Sequence, residues 1–513
     1  MDQHHIDDLK ARRVRVIAQS SGDAVQQKLH AQGKLGARER LALLLDPDSF
    51  QELGIHAHSA HPSLRERTPA DGVVTGFGTI DGRIVYVAAD DPGVLAGTRG
   101  RVGELKISRV RMAALDHGKP FIALMEAGAA RVQETFGAAA AGMGTRFAEH
   151  FRLSGRVPQI AAVMGPAFGG PSFTACQSDF TSIVKGTGFM GMSGPLVVKV
   201  GIGTEVERED IGGAQMSTAV TGQADHMGET EADTLAAIRA FLSYLPSNCD
   251  ELPPRMPSQA AAVDSEAGAA RLRALIPDSR RQAYDMRKVL ALLTDGGVFF
   301  EYGARFGPGV TTALARIDGH SVGVVASNPM MRAGVLDQRN ARKMRKFVDL
   351  CDAFHVPLVF IADAPGFLVG PEIEKEGMVS LASRLLNSVY GASVPKITIV
   401  ARKAIGLAYL ALGGRASGPD AIVAWPGAHF DVMGPEAVVE LMHGREIAAA
   451  ADPDARRAEI AATIDAQSSA YEAAALGLID DVIDPAETRR VIVQTLERVA
   501  QKRRTGFKHR VDA

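Results

Sequence analysis

A chain of 513 residues has room for about three domains of ordinary size, and a net charge of −2 at pH 7 argues against nucleic acid as its main partner. Aromatic residues make up 5% and glycines number 53, which suits an α/β protein with many tight strand–helix turns. Cys176, Cys249 and Cys351 are scattered without a CxxC pair, so a zinc ribbon is excluded, a disulfide framework is not expected, and no metal site is expected.

The first residues, MDQHHIDDLKARR, lack the apolar segment of a signal peptide. The longer apolar stretches are broken by charge before they reach membrane-spanning length, as in KITIVARKAIGLAYLALGGR. A cytoplasmic protein with no membrane partner is the expectation. The basic tail QKRRTGFKHR reads as a frayed, solvated end.

Residues 1–50 read as helical, ending in RERLALLL. Residues 72–90 read as two strands around the turn IDGR, since an Asp-Gly pair between apolar runs signals a hairpin. A helix over 99–116, the strand FIALMEA, a helix over 140–154, the strand QIAAVMG and a helix after Gly169-Gly170 follow. This alternation is the pattern of a parallel sheet with crossover connections. Residues 246–270, rich in Pro, Ser and Ala, read as a linker. Beyond it come a helix at 286–294, a hairpin around IDGH, the helix RNARKMRKFVDLCDAF, the strand LVFIADA, a helix near 376–390 and the strand KITIVAR. Residues 446–476 and 485–503 are expected to be helical.

The second series repeats the first. Asp81-Gly82 recurs as Asp318-Gly319, Pro120 as Pro357, Glu126 as Asp363, Pro158 as Pro395 and Gly169 as Gly406, all at a shift of 237 positions. Upstream, LALLLDPDSFQE from Leu41 matches LALLTDGGVFFE from Leu290 at a shift of 249, which places an insertion of 12 residues between Glu52 and Asp81. A period of this length is a domain, not a solenoid repeat. Two domains are expected, 1–250 and 251–513. Two copies of one domain can build one site from similar halves.

GxSxG, HExxH and a phosphate-binding GxxxxGKS loop are all absent. Glu126 and Asp363, each ending an apolar strand, could pair as carboxylates or cap the segment that follows. Glycine beside strand ends is the stronger signal. In MGPAFGGPSF, 164–173, a strand ends, Gly169 and Gly170 follow and a helix starts. Unpaired N–H groups at a helix start can hold a developing oxyanion, although the same glycines would also serve a merely tight turn. The repeat partner is RKAIGLAYLALGG at 402–414, where Gly406 aligns with Gly169 and Leu407 with Gly170. EAGAARVQE and DAPGFLVGPE also follow strands directly and should line the same edge.

Together, GKLGARERLALLLDPDSFQELG at 33–54, DGVVTGFGTIDGR at 71–83, EAGAARVQE, MGPAFGGPSF, PGFLVGPE at 365–372, IVAWPGAHFDVMGPEAVVE at 422–440 and LGLIDDVIDPAETR at 476–489 resemble the carboxyltransferase β subunits of biotin-dependent acyl-CoA carboxylases, the propionyl-CoA and methylcrotonyl-CoA carboxylase group. The resemblance covers nearly the whole chain. It implies an α/β fold made by tandem duplication of two crotonase-like (ClpP/crotonase) domains. It implies transfer of carboxylate from N1-carboxybiotin to the α carbon of an acyl-CoA, with biotin borne by a separate biotin carboxylase/biotin carboxyl carrier subunit and the coenzyme A ester as substrate. It further implies a homo-oligomer, a hexamer built as a trimer of dimers, with each site between the first domain of one subunit and the second domain of another.

By position, the resemblance assigns the thioester enolate oxygen to the amides of Gly169 and Gly170 and the biotin ureido oxygen to those of Leu407 and Ala408. Lys106, Gly128, Ala129, Phe168 and Gly406 fall where the family binds its CoA and biotin ligands, and Tyr409 and Leu410 beside the acyl pocket. The chain departs from the family in reading Gly406-Leu407-Ala408-Tyr409-Leu410 where propionyl-type members read Gly-Gly-Ala-Tyr-Asp. Glu126 and Ala129 also stand where the family has Asp and Gly. Reverse transfer by a decarboxylase subunit, or a non-catalytic scaffold paralogue, are the alternatives.

Overall fold

The computed structural model describes residues 2–128, 130–499 and 501–511. Two compact units make up the chain: Met1–Glu251 together with Gly506–Ala513, and Leu252–Thr505. The tail is not frayed. Val511 N–H donates to Ser154 Oγ at 3.0 Å, and the Arg510 guanidinium lies 3.5 Å from the centre of the Phe151 ring. A cation–π contact and hydrogen bonds with the Ser154 hydroxyl hold this segment, which its composition alone reads as solvated.

The first unit contains β1 (Gln51–Leu53), β2 (Val73–Ile80), β3 (Arg83–Asp90), β4 (Phe121–Met125), β5 (Gln159–Val163), β6 (Pro166–Phe168), β7 (Phe180–Val184), β8 (Phe189–Gly191) and β9 (His226–Gly228). Its main sheet has the order β1-β2-β3-β4-β5-β7-β9, antiparallel up to β3 and parallel beyond it. Strands β4, β5 and β7 are buried at every residue, as strands covered on both faces must be. A short parallel ribbon, β6 with β8, stands apart from this sheet.

In the second unit, β10 (Phe299–Tyr302), β11 (Val310–Ile317), β12 (His320–Ser327), β13 (Leu358–Ala364), β14 (Lys396–Ile405), β15 (Ala421–Ala424), β16 (His429–Asp431) and β17 (Asp481–Val482) repeat the scheme. The order is β10-β11-β12-β13-β14-β15-β17, with β16 paired to the far end of β14. The hairpins show the duplication at atomic detail. Asp81 and Gly82 have φ of 49° and 75°, and Asp318 and Gly319 have 52° and 74°, the left-handed pair of a two-residue turn. Each turn is pinned by a carboxylate from the preceding helical region. Asp46 accepts from the N–H groups of Asp81 and Gly82 at 3.1 and 2.9 Å, and Asp295 from those of Asp318 and Gly319 at 2.9 and 2.8 Å.

The structure departs from the sequence-based elements where capping residues intervene. The segment 246–270 is not all linker, because a helix, Glu266–Leu275, starts behind Ser265, whose side chain accepts from Gly268 N–H at 3.1 Å. The helical stretch 446–476 is three helices, Pro435–Ala449, Pro453–Gln467 and Ala470–Ala475. Asp452 and Ser469 cap the second and third by accepting from Ala455 and Glu472 N–H.

Candidate active site

In the first unit the chain leaves β5, runs through β6 and turns at Gly169, which has φ 68° and ψ −128°, a conformation open to glycine. The helix Gly170–Cys176 follows. Gly169 N–H donates to Gly191 O at 2.9 Å, extending the β6–β8 ribbon by one bond. Ser172 fastens the same spot, its hydroxyl accepting from Gly191 N–H at 2.8 Å. Pro171 has no N–H. Of the expected Gly169–Gly170 donor pair, the Gly169 amide is engaged within the fold, and Gly170, first in its helix, has no intrahelical acceptor.

Behind this turn lies Arg146, on the helix Thr145–Leu153. A β-carbon on Gly170 would sit 2.8 Å from Arg146 Nη1. Arg146 pairs with Glu104 through Nη2, while its Nη1 is buried and has no hydrogen-bond partner among the described residues. Burial, helped by the neighbouring Arg99, pushes the guanidinium down to about 10, so it stays cationic at neutral pH.

Beside the turn a cleft of about 1550 Å³ opens, lined among others by Phe168, Gly128, Glu126, Lys34, Lys28 and Arg208. The Phe168 ring packs where β-carbons on Gly191 and Gly194 would come within 3.5 and 3.3 Å. Glu126 at the cleft wall pairs with Lys34 Nζ and Arg40 Nη2, both at 2.6 Å, and Arg40 also binds Glu231 at 2.6 Å. This network needs Gly165, where a β-carbon would lie 2.4 Å from Glu126 Cγ.

In the second unit β14 runs straight into Gly406, φ 56°, and the helix Gly406–Ala411. A β-carbon there would meet Val432 O at 2.8 Å. The first-turn amides of Gly406, Leu407 and Ala408 have no acceptor within the helix. The Leu407 side chain is 60% exposed and Ala408 is fully buried, so the leucine departure leaves these backbone donors in place. Tyr409 stands edge-on to Phe430 at 5.6 Å and its hydroxyl accepts from Arg415 N–H at 3.2 Å; Leu410 is half-buried.

Glu126 and Asp363 cap no helix. Asp363, fully buried, is bound by Arg402 Nε at 2.8 Å and Lys403 Nζ at 3.3 Å, so each carboxylate is neutralised by cations of its own unit. Lys106 also takes a different post from the one expected. Its ammonium donates to the carbonyls of Ala70 at 2.7 Å and Val73 at 2.6 Å, and burial pushes it down to about 8. Two of its three donors tie a helix to the start of β2. The repeat has the same device: Lys343 donates to Val310 O at 2.6 Å and is pushed down to about 7. Gly128 and Phe168 lie at the cleft, and Ala129 lies outside the described residues. Sequence reading missed Lys28, Arg208 and Arg146. Lys34 stood inside the segment GKLGARER but carried no spacing signal of its own.

No helix among the described residues is long and apolar enough to cross a membrane. Residues 28–511 match the family model of the carboxyl transferase domain. The methylmalonyl-CoA carboxyltransferase 12S subunit of Propionibacterium freudenreichii subsp. shermanii is 40% identical over 500 residues, 96% of this chain and 94% of that one. The methylmalonyl-CoA decarboxylase subunit alpha of Veillonella parvula is 38% identical, over 95% and 94%. A crystal structure of transcarboxylase 12S with methylmalonyl-coenzyme A and methylmalonic acid bound, described as a hexamer assembly, matches with a TM-score of 0.92 at 38% identity, covering 99% of this chain and 97% of that one. The chain belongs to the carboxyl transferase family and is a carboxyltransferase of the biotin-dependent acyl-CoA carboxylase group.

Proposed function

We propose that this protein moves carboxylate from N1-carboxybiotin, presented by a separate biotin carboxylase and carrier subunit, to the α carbon of an acyl-CoA. One observation carries the reading: the same strand–turn–helix device occurs in both units, and in each the first turn of the helix, with Gly170 in one and Leu407 and Ala408 in the other, has amides without an intrahelical acceptor. The Gly170 amide holds the thioester oxygen as it gains enolate charge. The amides of Leu407 and Ala408 hold the ureido oxygen of the biotin substrate. Transfer breaks the N–C bond of carboxybiotin, passes the α proton of the acyl-CoA to that nitrogen and forms a C–C bond at the α carbon. The protein's part is to place charge-stabilising dipoles, which accounts for a site without a nucleophile–base pair. The cations lining the first unit's cleft, Lys28, Lys34 and Arg208, suit the phosphates of coenzyme A, in place of Lys106.

The two units act as the two carboxyltransferase domains, and the working form is a homo-hexamer in which the first unit of one copy faces the second unit of another. Large exposed apolar side chains favour such a cover: Met192, Leu196, Val200 and Ile202 in the first unit, and Leu407, Val432, Leu441 and Met442 in the second. The three cysteines are free, as suits a cytoplasmic location.

The test mixes the purified protein with a biotin carboxylase–carrier partner, ATP, bicarbonate and a panel of acyl-CoAs. Carboxylated acyl-CoA detected by mass supports the reading, and no product from any acyl-CoA sinks it. Reverse transfer is favoured by one observation, the similarity to decarboxylase subunits. Loss of carboxylate from methylmalonyl-CoA to free biotin, without forward product, would establish it.

A further inference from the structure

Three features around Gly170 do not follow from the family reading. At the first-unit turn the Gly170 amide has no intrahelical acceptor, while Gly169 N–H is engaged by Gly191 O and Pro171 has none. A guanidinium packs directly against that turn, with Nη1 2.8 Å and Cζ 3.2 Å from the place of a Gly170 β-carbon, and so within about 5 Å of the Gly170 peptide nitrogen. Its Nη1 has no hydrogen-bond partner among the described residues, which costs stability without any return to the fold.

Five other arginines keep an unpartnered nitrogen among the described residues, and two of them, Arg38 and Arg111, likewise have a single carboxylate anchor, Glu52 and Glu149; the guanidinium packed against Gly170 is that of Arg146. Arg40, Arg131 and Arg402 are fully buried and each binds carboxylate on more than one nitrogen or caps carbonyls besides. Arg146 keeps 15% of its side chain exposed and has one anchor, Glu104. At the matching repeat position, 237 residues on, stands Ser383, whose hydroxyl donates to Val379 O in its own helix. The second unit therefore carries no cation at this position.

We propose that Arg146 is a positioning residue for the transfer, a fixed positive charge behind the Gly170 amide that raises the potential where the thioester oxygen becomes negative. The inference rests on the carboxyltransferase reading above. An enolate gains nearly a full charge at that oxygen, and a cation within about 5 Å of the amide that holds it, on the turn it supports, stabilises that charge more than it stabilises the neutral ground-state thioester. The effect belongs to kcat and not to binding. Gly170 must be glycine for the guanidinium to come this close.

Three variants in the full chain with its biotin-carrying partner decide it. Arg146→Met should lower kcat about 10- to 100-fold with the acyl-CoA KM within about threefold, at wild-type melting temperature and oligomeric state. Arg146→Lys, which keeps the charge, should return kcat to within about threefold of wild type. A kcat for Arg146→Met near wild type, or an Arg146→Lys as slow as Arg146→Met in folded protein, overturns the inference. If Arg146→Met does not fold, Arg146→Gln, which keeps a hydrogen bond to Glu104 without charge, takes its place with the same expectations. A wild-type protein inactive on every acyl-CoA would instead sink the carboxyltransferase reading.

Discussion

The two units share a strand order and differ in what stands at matched positions. Position 165 is glycine and its repeat partner, 402, is arginine. In the second unit Arg402, rising from the middle of β14, binds Asp363 from within the sheet. In the first unit the Glu126 side chain fills the space beside Gly165 at the cleft wall, and its cations, Lys34 and Arg40, come from the N-terminal segment. One substitution thus decides whether the carboxylate is sealed inside a wall or lines a cavity. The turns differ in the same spirit: Gly170 leaves room for Arg146, while the repeat partner of position 146 is Ser383. A duplicated backbone supplies the same dipoles twice, and side chains at a few positions divide the work.

The largest effect should come from breaking the sealed pair. Asp363→Ala strands Arg402 and Lys403, and removing one member of a buried ion pair costs about 3–5 kcal/mol. Glu126→Ala should cost less, because Arg40 keeps Glu231 and Lys34 is partly exposed. Denaturant titration of both variants checks the ranking; equal losses would mean that the two carboxylates are not differently housed.

Next is the second turn. Leu407→Pro deletes a backbone donor at a first-turn position where proline is tolerated, and should lower kcat about 100- to 1000-fold. Leu407→Gly keeps the donor and should change kcat by less than about threefold, since an exposed side chain is all it removes. Steady-state carboxylation assays separate the two, and a large loss in Leu407→Gly would show that the side chain, not the amide, carries the role.

The duplication, the hairpins and the glycine turns were legible because each depends on local chemistry: Asp-Gly for a left-handed pair, glycine where φ is positive, apolar runs for strands buried on both faces. The family resemblance extended that reading over the whole chain. What stayed hidden depends on contacts between distant segments. Nothing around Gly169 in sequence shows that its N–H is taken by Gly191, and nothing around Lys106 shows that Ala70 and Val73 carbonyls will take its ammonium. Arg146 looks like any helical surface arginine until Gly170 is placed beside it.

The buried lysines give the subtlest contrast, because they occupy the same place in both units and differ in depth. Lys343 is pushed down to about 7 and Lys106 to about 8, both by burial, against 10.5 for an unburied lysine. With the folded value below the unfolded one, the unfolded chain binds more protons between the two, so stability rises with pH across that window. The window opens near pH 7 for Lys343 and near pH 8 for Lys106, and each lysine contributes a slope of at most about 1.4 kcal/mol per pH unit. Asp91 runs the other way: burial raises it to about 6, so its charged form is disfavoured and stability falls as pH rises toward 6. Unfolding midpoints measured from pH 5 to 9 should therefore pass through a minimum near pH 6–7 in this part of the ledger of charges. Lys343→Met should flatten the rise above pH 7 more than Lys106→Met does, and Asp91→Asn should remove the acid-side fall. A rise above pH 7 that survives Lys343→Met would place the titrating group elsewhere and remove the deeper burial of the second unit's lysine as a physical difference between the halves.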